Sequence, residues 1–202
     1  MVGFFINPIF FLILTHSKYL KLMLKNLYFL GIIPPAEIAS DITLMKQFCA
    51  DNFNCRHALN APPHITLLPP FRVDTTVLHK LDALLAQTTK SFAPFFIELN
   101  GFDHFSNRVV FVAIENNKSL DNIQQHCAKA ITGMLPQDEP DKARFHAHVT
   151  IAFKDIDPQK FESIWNHFRR ASFNRMFQCN TLFLLNYKSG NWEISKTYKF
   201  GK

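Results

Sequence analysis

Apolar and polar positions alternate along most of the chain in two rhythms, one typical of strands and one typical of helices. Apolar or alternating runs predict strands at 26–33, 64–68, 94–102, 108–115, 147–153, 176–188 and 192–200. Apolar residues at helical spacing predict helices at 36–52, 75–91, 119–133 and 158–170. This mixture of elements predicts an α+β fold.

Three polar segments connect these elements. Residues 103–107 and Ser189-Gly190-Asn191 lie between neighbouring strands and predict hairpins. Residues 137–144 contain Pro140 and few apolar side chains, which predicts a mobile connection between two halves of the chain.

The two halves share one pattern, which indicates an internal duplication. In the first half, His64-Ile65-Thr66-Leu67 is followed by a phenylalanine and a helix. In the second half, His148-Val149-Thr150-Ile151 is followed in the same way. We therefore expect one bilobal catalytic domain over 23–202, with pseudo-repeat halves of about 23–117 and 118–202 and a shared cleft that holds both motifs.

Each motif offers one histidine and one threonine on the same face of a strand. Positions i and i+2 of a strand point the same way, so His64 lies beside Thr66 and His148 beside Thr150. Histidine titrates near neutral pH, so two of them can serve as base and acid at one phosphorus atom, an effect typically worth ~10²–10⁴-fold. The threonine hydroxyls can donate hydrogen bonds to phosphate oxygens. No metal ion or cofactor is required.

The alternative is that these residues are structural. A single His-x-Thr occurs by chance in many proteins, and a lone strand histidine is more often a satisfied structural residue. Two strand-like copies, each flanked by apolar residues and followed by a helix, form a far more specific signal than one copy.

Charge and cysteine content change this interpretation little. Lys and Arg outnumber Asp and Glu by 22 to 16, and the net charge of +6 suits either an anionic substrate or simply a soluble surface. The four cysteines have neither Cys-x-x-Cys nor zinc-site spacing, which predicts free buried thiols in a reducing, cytoplasmic setting.

Residues 1–22 form an apolar N-terminal extension. The run Phe4 to Leu14 is too short to span a bilayer as a helix, and it lacks the positive start and the cleavage site of a secretory signal. Because Met23 stands just before the first strand pattern, we hypothesise that translation begins there. Mass spectrometry of the native N-terminus would decide this, and peptides from Phe4 to Lys18 would refute it.

The two motifs resemble the signature tetrapeptides of the 2H phosphoesterases, the group of 2'-5' RNA ligases and RNA cyclic phosphodiesterases. Residues 101–115 also resemble the central hairpin of that group, and the resemblance covers about 23–202. It implies a bilobal fold with two antiparallel sheets facing a central cleft and helices outside. It also implies that His64 and His148 are the acid/base pair, while Thr66 and Thr150 bind the phosphate. The extension at 1–22 and the residue His146 depart from the pattern.

The resemblance leaves the substrate open. Members of this group act on 2',3'-cyclic phosphates, on 2'-5' linkages, or on cyclic phosphates derived from ADP-ribose. The expected partner is therefore an RNA or nucleotide of this kind, with no cofactor, no membrane, no obligate protein partner and a monomeric state. Which histidine is the base, and whether hydrolysis or ligation prevails, is not encoded in the motifs.

Several further residues are candidates for substrate contact. Arg108 and Arg144 could bind phosphate in a bidentate manner, although solvated charges at strand ends are equally expected. His146 stands two residues before His148 and could share its face and contact substrate, although an ordinary position at the strand edge is more common. The rings of Phe71, Phe105 and Tyr28 could stack on a base, but with 22 Phe in the chain the core is the more common location.

Two rival functions remain at this point. A non-catalytic module could bind RNA ends through the same residues, although binding alone does not need two titratable groups. A metal-dependent hydrolase could use His64, His146 and His148 as ligands, but no carboxylate accompanies them. Sensitivity to a chelator separates the metal-dependent enzyme from the acid/base enzyme.

Overall fold

A computed structural model describes residues 25–135 and 144–201 of the chain. The strands are β1 (Lys25–Ile32), β2 (Ile65–Asp74), β3 (Phe95–Phe105), β4 (Val109–Ile114), β5 (His148–Phe153), β6 (Asn174–Cys179), β7 (Thr181–Lys188) and β8 (Asn191–Lys199). The helices are α1 (Ala36–Phe53), α2 (Leu78–Thr89), α3 (Lys118–Met134) and α4 (Phe161–Phe168), with short 3-10 helices at His57–Asn60 and Thr75–Val77. The predicted α+β class is confirmed. The extension at 1–22 and most of the predicted connection at 137–144 lie outside the described residues.

The described strands form a single antiparallel sheet in the order β6-β3-β4-β5-β2-β1-β7-β8. The predicted arrangement of two separate sheets is not confirmed, because β2 and β5 join the two halves of the sheet. They are joined through one residue pair only, Ile65 with Val149. The two halves of the sheet are therefore continuous at this pair.

The helices pack on the face of the sheet where the apolar motif residues lie. Ile65, Leu67, Val149 and Ile151 are all at most 1% exposed. Helix α1 packs against β5, while α3 packs against β2, so each helix covers the motif strand of the other sequence half. Burying a side chain of this size contributes about 1.5–3 kcal/mol, which makes this the main force that holds the two motif strands together.

The sequence halves exchange strands within the sheet. Strand β4, which precedes residue 118 and pairs with β3, lies beside β5 of the second sequence half. Strand β7, which pairs with β8, lies beside β1 of the first sequence half. The predicted pseudo-repeat of 23–117 and 118–202 therefore does not coincide with the two halves of the sheet.

One predicted strand, Met176 to Lys188, is wrong, because the chain divides at Asn180. Residues before it form β6, which pairs with β3 at one edge of the sheet, and residues after it form β7, which pairs with β1. Both pieces contain alternating positions, but the buried positions change from Phe177 and Cys179 in β6 to Leu182 and Leu184 in β7, so the alternation changes phase at the break. The apolar run at 182–185 conceals this change in the sequence.

Strand β2 is longer than predicted, because it continues through Pro69 and Pro70 to Asp74. Proline lacks the N–H that a ladder requires, and the pairing of β2 with β1 shifts register at this point, between Leu30–Leu68 and Tyr28–Phe71. The irregularity thus accommodates both prolines.

The four cysteines are buried and free, as predicted. Burial raises the pKa of Cys49, Cys127 and Cys179 to about 12, so these thiols stay protonated at neutral pH. Among the described helices, none combines the length and apolar character needed to cross a bilayer.

Candidate active site

The pairing of Ile65 with Val149 brings the two His-x-Thr motifs together. Counting outward from this pair in the antiparallel sense places His64 opposite Thr150, and Thr66 opposite His148. These four half-buried side chains share the sheet face away from the helices, which we call the site face. Two imidazoles and two hydroxyls thus lie at the centre of the sheet, where the predicted motifs meet.

Both histidines are held in the same way. The Nδ1 atom of His64 lies 2.7 Å from the carbonyl oxygen of Pro62, and Nδ1 of His148 lies 2.7 Å from that of His146. A carbonyl oxygen can only accept, so each Nδ1 carries the proton and donates it. The lone pair of each neutral ring is therefore on Nε2, which is the nitrogen available to accept or deliver a proton on the site face.

Burial keeps both imidazoles neutral at physiological pH. Burial is the main cause that lowers the pKa of His64 to about 4; the bond to Pro62 opposes this effect, and the proximity of Lys46 and His148 adds to it. Burial also lowers the pKa of His148; the bond to the His146 carbonyl opposes this effect, and the proximity of the His146 side chain adds to it. Each ring is therefore neutral at pH 7, with an unprotonated Nε2.

Aromatic rings surround His64 on one side of the site. The Phe29 ring centre lies 4.4 Å from that of His64, and Trp192 packs edge-on against Phe29 at 4.6 Å. Tyr187 lies 5.2 Å from Trp192 and is 44% exposed. These rings come from β1 and from the hairpin of β7 and β8.

A second aromatic pair flanks His148. The ring centres of Phe105 and Phe111 lie 5.0 Å and 4.9 Å from that of His148. Phe111 is fully buried, whereas Phe105 is 37% exposed and also contacts His146. Phe105 thus presents part of its ring to solvent beside a motif histidine.

The backbone at Gly31 allows β1 to lie close to the first motif. Gly31 pairs with Thr66, and a Cβ atom at Gly31 would lie 2.8 Å from the carbonyl oxygen of Ile65. A larger residue would push β2 away, so this glycine is required for the position of Thr66.

The three polar candidates for substrate contact lie in two different cavities. Arg144 and His146 line a cavity of about 540 Å³ beside the second motif, together with Glu115 and Gln124. Arg108 lies in the turn between β3 and β4, in a different cavity lined by Phe153 at the opposite end of β5 from His148. The structure thus does not bring Arg108 to the histidine pair.

Phe71 and Tyr28 are not positioned to stack on a base. They pair across β1 and β2 and are 5% and 2% exposed within the hydrophobic core. The structure therefore places both rings in the core, the location that the sequence favoured over stacking on a base.

The alternative of a metal site has no geometric support in the described part of the chain. No three His, Cys, Asp or Glu side chains within 25–135 and 144–201 are arranged to hold a metal ion. The His146 and His148 rings are 6.4 Å apart, and the Nδ1 atom of His148 is engaged by a carbonyl group.

The sequence analysis missed four aromatic residues of the site, Phe29, Phe111, Tyr187 and Trp192. The only local signal for Tyr187 and Trp192 is that both flank the Ser189-Gly190-Asn191 turn. Phe29 and Phe111 lie in apolar runs that resemble any core strand, so only the pairing of strands places them beside the histidines.

A match to a protein-family model identifies the family of the chain. Residues 34–191 match the model of the 2'-5' RNA ligase superfamily. The chain belongs to the 2'-5' RNA ligase superfamily. The predicted enzyme class, a 2H phosphoesterase, is confirmed by this match and by the names of two relatives.

Two similar proteins come from bacteria. A Bacillus licheniformis protein named as a phosphoesterase is 27% identical over 161 residues, covering 77% of this chain and 92% of the relative. The RNA 2',3'-cyclic phosphodiesterase of Bacillus subtilis is 30% identical over 133 residues, covering 63% of this chain and 70% of the relative.

Solved structures of low sequence identity share the fold. E. coli LigT, in a complex with 3'-AMP, has a TM-score of 0.63 at 16% identity and covers 88% of this chain and 99% of its own. A Thermus thermophilus protein has a TM-score of 0.64 at 16% identity, with 87% and 98% coverage. The eight-stranded sheet with its helices is thus the fold of LigT-like proteins.

Proposed function

We propose that the protein opens 2',3'-cyclic phosphates at RNA ends by metal-independent acid/base catalysis and leaves a 2'-phosphate. The observation that carries this is the matched pair of imidazoles, each with Nδ1 bonded to a carbonyl oxygen and Nε2 free on the site face. The name of the Bacillus subtilis relative supports the choice of a cyclic phosphate among the substrates of the superfamily.

In this reaction His64 is the base. Its Nε2 takes a proton from a water molecule, whose oxygen forms a new bond to phosphorus. The pKa of His64 lies well below neutrality, so the ring is neutral at pH 7 and its Nε2 lone pair is free to take the proton as the bond to phosphorus forms.

His148 is the acid that protonates the leaving 3'-oxygen as its bond to phosphorus breaks. The negative charge of a bound phosphate favours protonation of the nearby imidazole, which offsets the lowering of its pKa by burial. The hydroxyls of Thr66 and Thr150 donate to the non-bridging oxygens, where charge develops in the transition state.

This assignment also orients the substrate. Attacking and leaving oxygens lie on opposite sides of phosphorus, in line with each other. The terminal nucleoside, which carries the leaving oxygen, therefore lies on the side of His148, where the exposed part of Phe105 is placed to stack on its base.

The test is turnover of an oligonucleotide ending in a 2',3'-cyclic phosphate, in the presence of a chelator. We compare wild type with His64→Ala, His148→Ala and a control, His79→Ala, whose side chain is exposed on α2. The proposal requires 2'-phosphate product from wild type and the control, and its loss in the two site variants.

Three other outcomes identify the alternatives. Loss of turnover with chelator would point to a metal-dependent enzyme, and RNA binding without turnover would point to a binding module. Faster turnover of a 2'-5' linked dinucleotide, or of a cyclic phosphate derived from ADP-ribose, would keep the chemistry but change the substrate.

A further inference from the structure

Lys46 is a buried lysine that the proposed reaction does not use. It lies on α1 and is 3% exposed, and its Nζ atom donates to the carbonyl oxygens of Ala58 and Ala61, each at 3.0 Å. Lysine is seldom buried without an acidic partner, and Lys46 forms no ion pair with any described residue. Burial lowers the pKa of Lys46 to about 8, so its cation is retained at some cost.

The carboxylate of Asp155 binds the segment 56–61, which also contains the two alanines bonded to Lys46. Oδ2 of Asp155, which follows β5, accepts hydrogen bonds from the backbone N–H groups of Arg56 and His57, each at 2.7 Å. The ring of His57 also packs edge-on against Phe153 at 4.8 Å. Residues 56–61 are thus bonded to α1 through Lys46 and to the second sequence half through Asp155.

This segment leads directly into the first motif. Its last residue, Ala61, precedes Pro62, whose carbonyl oxygen accepts the proton of His64 Nδ1. Fixing the carbonyl groups of Ala58 and Ala61 therefore limits the positions available to the acceptor that orients His64. The second motif differs, because no charged side chain of the described residues bonds to the backbone of 144–147.

We propose that Lys46 and Asp155 are positioning residues for His64, acting as a clamp on residues 56–61 that holds the Pro62 carbonyl against Nδ1. The role of His64 as base rests on the proposed function, whereas the clamp itself can be observed without any substrate.

The direct readout is the Nδ1–H signal of His64 in protein labelled with ¹⁵N-histidine. Among the described residues, His104 and His126 also place Nδ1 at 2.8 Å from a carbonyl oxygen, so the His64 and His148 signals are assigned by their loss in His64→Ala and His148→Ala. We expect Lys46→Met and Asp155→Ala to broaden or remove the His64 signal and to leave the His148 signal in place. His148 thus serves as a control within the same molecule.

Activity provides the second readout. Misplacement of a catalytic group by about 1 Å can cost ~10²-fold, so we expect kcat to fall by about ten- to a hundredfold with KM little changed. Asp155→Asn, which retains an accepting oxygen, should preserve most of the His64 signal and of kcat. Asp157→Ala is the matched control, because its carboxylate bonds only to the nearby Gln159 N–H among the hydrogen bonds of the described residues.

Unchanged His64 signal and kcat in both Lys46→Met and Asp155→Ala would overturn the clamp. If Lys46→Met fails to fold and loses both signals, the test rests on Asp155→Ala alone. Asp155 is exposed, so its replacement leaves no buried cavity. If the clamp variants lose the His64 signal while wild type never turns over a cyclic phosphate, the clamp stands and the proposed reaction is wrong.

Discussion

The two histidines of the site share the same type of hydrogen bond but differ in the residues that surround them. Both His64 and His148 donate from Nδ1 to the carbonyl oxygen two residues earlier. His64 packs on Phe29, which is 3% exposed, and lies near the charge of Lys46, whereas His148 packs on the partly exposed Phe105. Identical motifs thus receive different environments, and environment is what separates a base from an acid.

The largest expected effect tests whether both sides are needed. Replacing either His64 or His148 with alanine should lower the single-turnover rate by about 10²–10⁴-fold, because each removes one proton transfer. The double variant should lose little more than the worse single variant, since the two groups act together. A rate for His64→Ala close to wild type would show that the first motif is structural.

The second prediction uses pH to compare the environments. The folded pKa of His64 is about 4 against 6.5 for the free side chain, so between these values the unfolded chain binds more protons. The free energy of unfolding should therefore fall as pH drops from 6.5 to 4, with His64 contributing about 3 kcal/mol at 1.4 kcal/mol per pKa unit.

Urea unfolding at pH 7 and pH 4 measures this contribution. His64→Phe should reduce the loss of stability on acidification, and His148→Phe should reduce it less, because the pKa of His148 is lowered less. Equal reductions would mean that the two sides do not differ in the cost of charging the histidine.

The third prediction concerns the threonines. Thr66→Val and Thr150→Val keep the shape of the side chain and remove its hydroxyl donor. A hydrogen bond to a charged group is worth about 1.5–3 kcal/mol, so each variant should lower kcat by roughly ten- to a hundredfold. A fall in kcat for one variant alone would assign phosphate binding to a single side of the site.

The smallest expected effect concerns the aromatic residues. Stacking contributes about 1–3 kcal/mol per base, and because Phe105 exposes only part of its ring we expect the lower end, so Phe105→Ala should raise KM for a nucleoside 2',3'-cyclic phosphate about fivefold. The increase should vanish for ribose 2',3'-cyclic phosphate, which has no base. A larger effect for Trp192→Ala than for Phe105→Ala would place the nucleoside on the side of His64 and exchange the acid and the base.

The continuation of β2 beyond Leu68 was partly visible in the local pattern of the sequence. Continuing the alternation from Ile65 and Leu67 along β2 places Phe71 on the buried side, where the structure has it. The prediction ended this strand at Leu68 because two prolines follow, and the register shift that accommodates them depends on β1. The buried position of Phe71 could therefore have been predicted, but not the bulge.

The burial of Lys46 had no local signal, and the break at Asn180 had only a weak one. Lys46 falls in an otherwise ordinary helix, and its burial depends on residues 58–61 folding back over α1. The break at Asn180 has one local signal, the change of phase between Cys179 and Leu182, but the apolar run at 182–185 conceals it. The two strands also differ in their partners.

The sequence by itself determined most of the elements and the residue types that share the site face. Alternation along a strand puts Ile65 and Val149 on one side and the four His and Thr side chains on the other, and this follows from backbone geometry alone. Only the tertiary structure decided that Ile65 pairs with Val149, which aromatic ring lies beside each histidine and which charges surround each imidazole. Pairing and burial depend on residues far apart in the chain, whereas periodicity records only what each segment does locally.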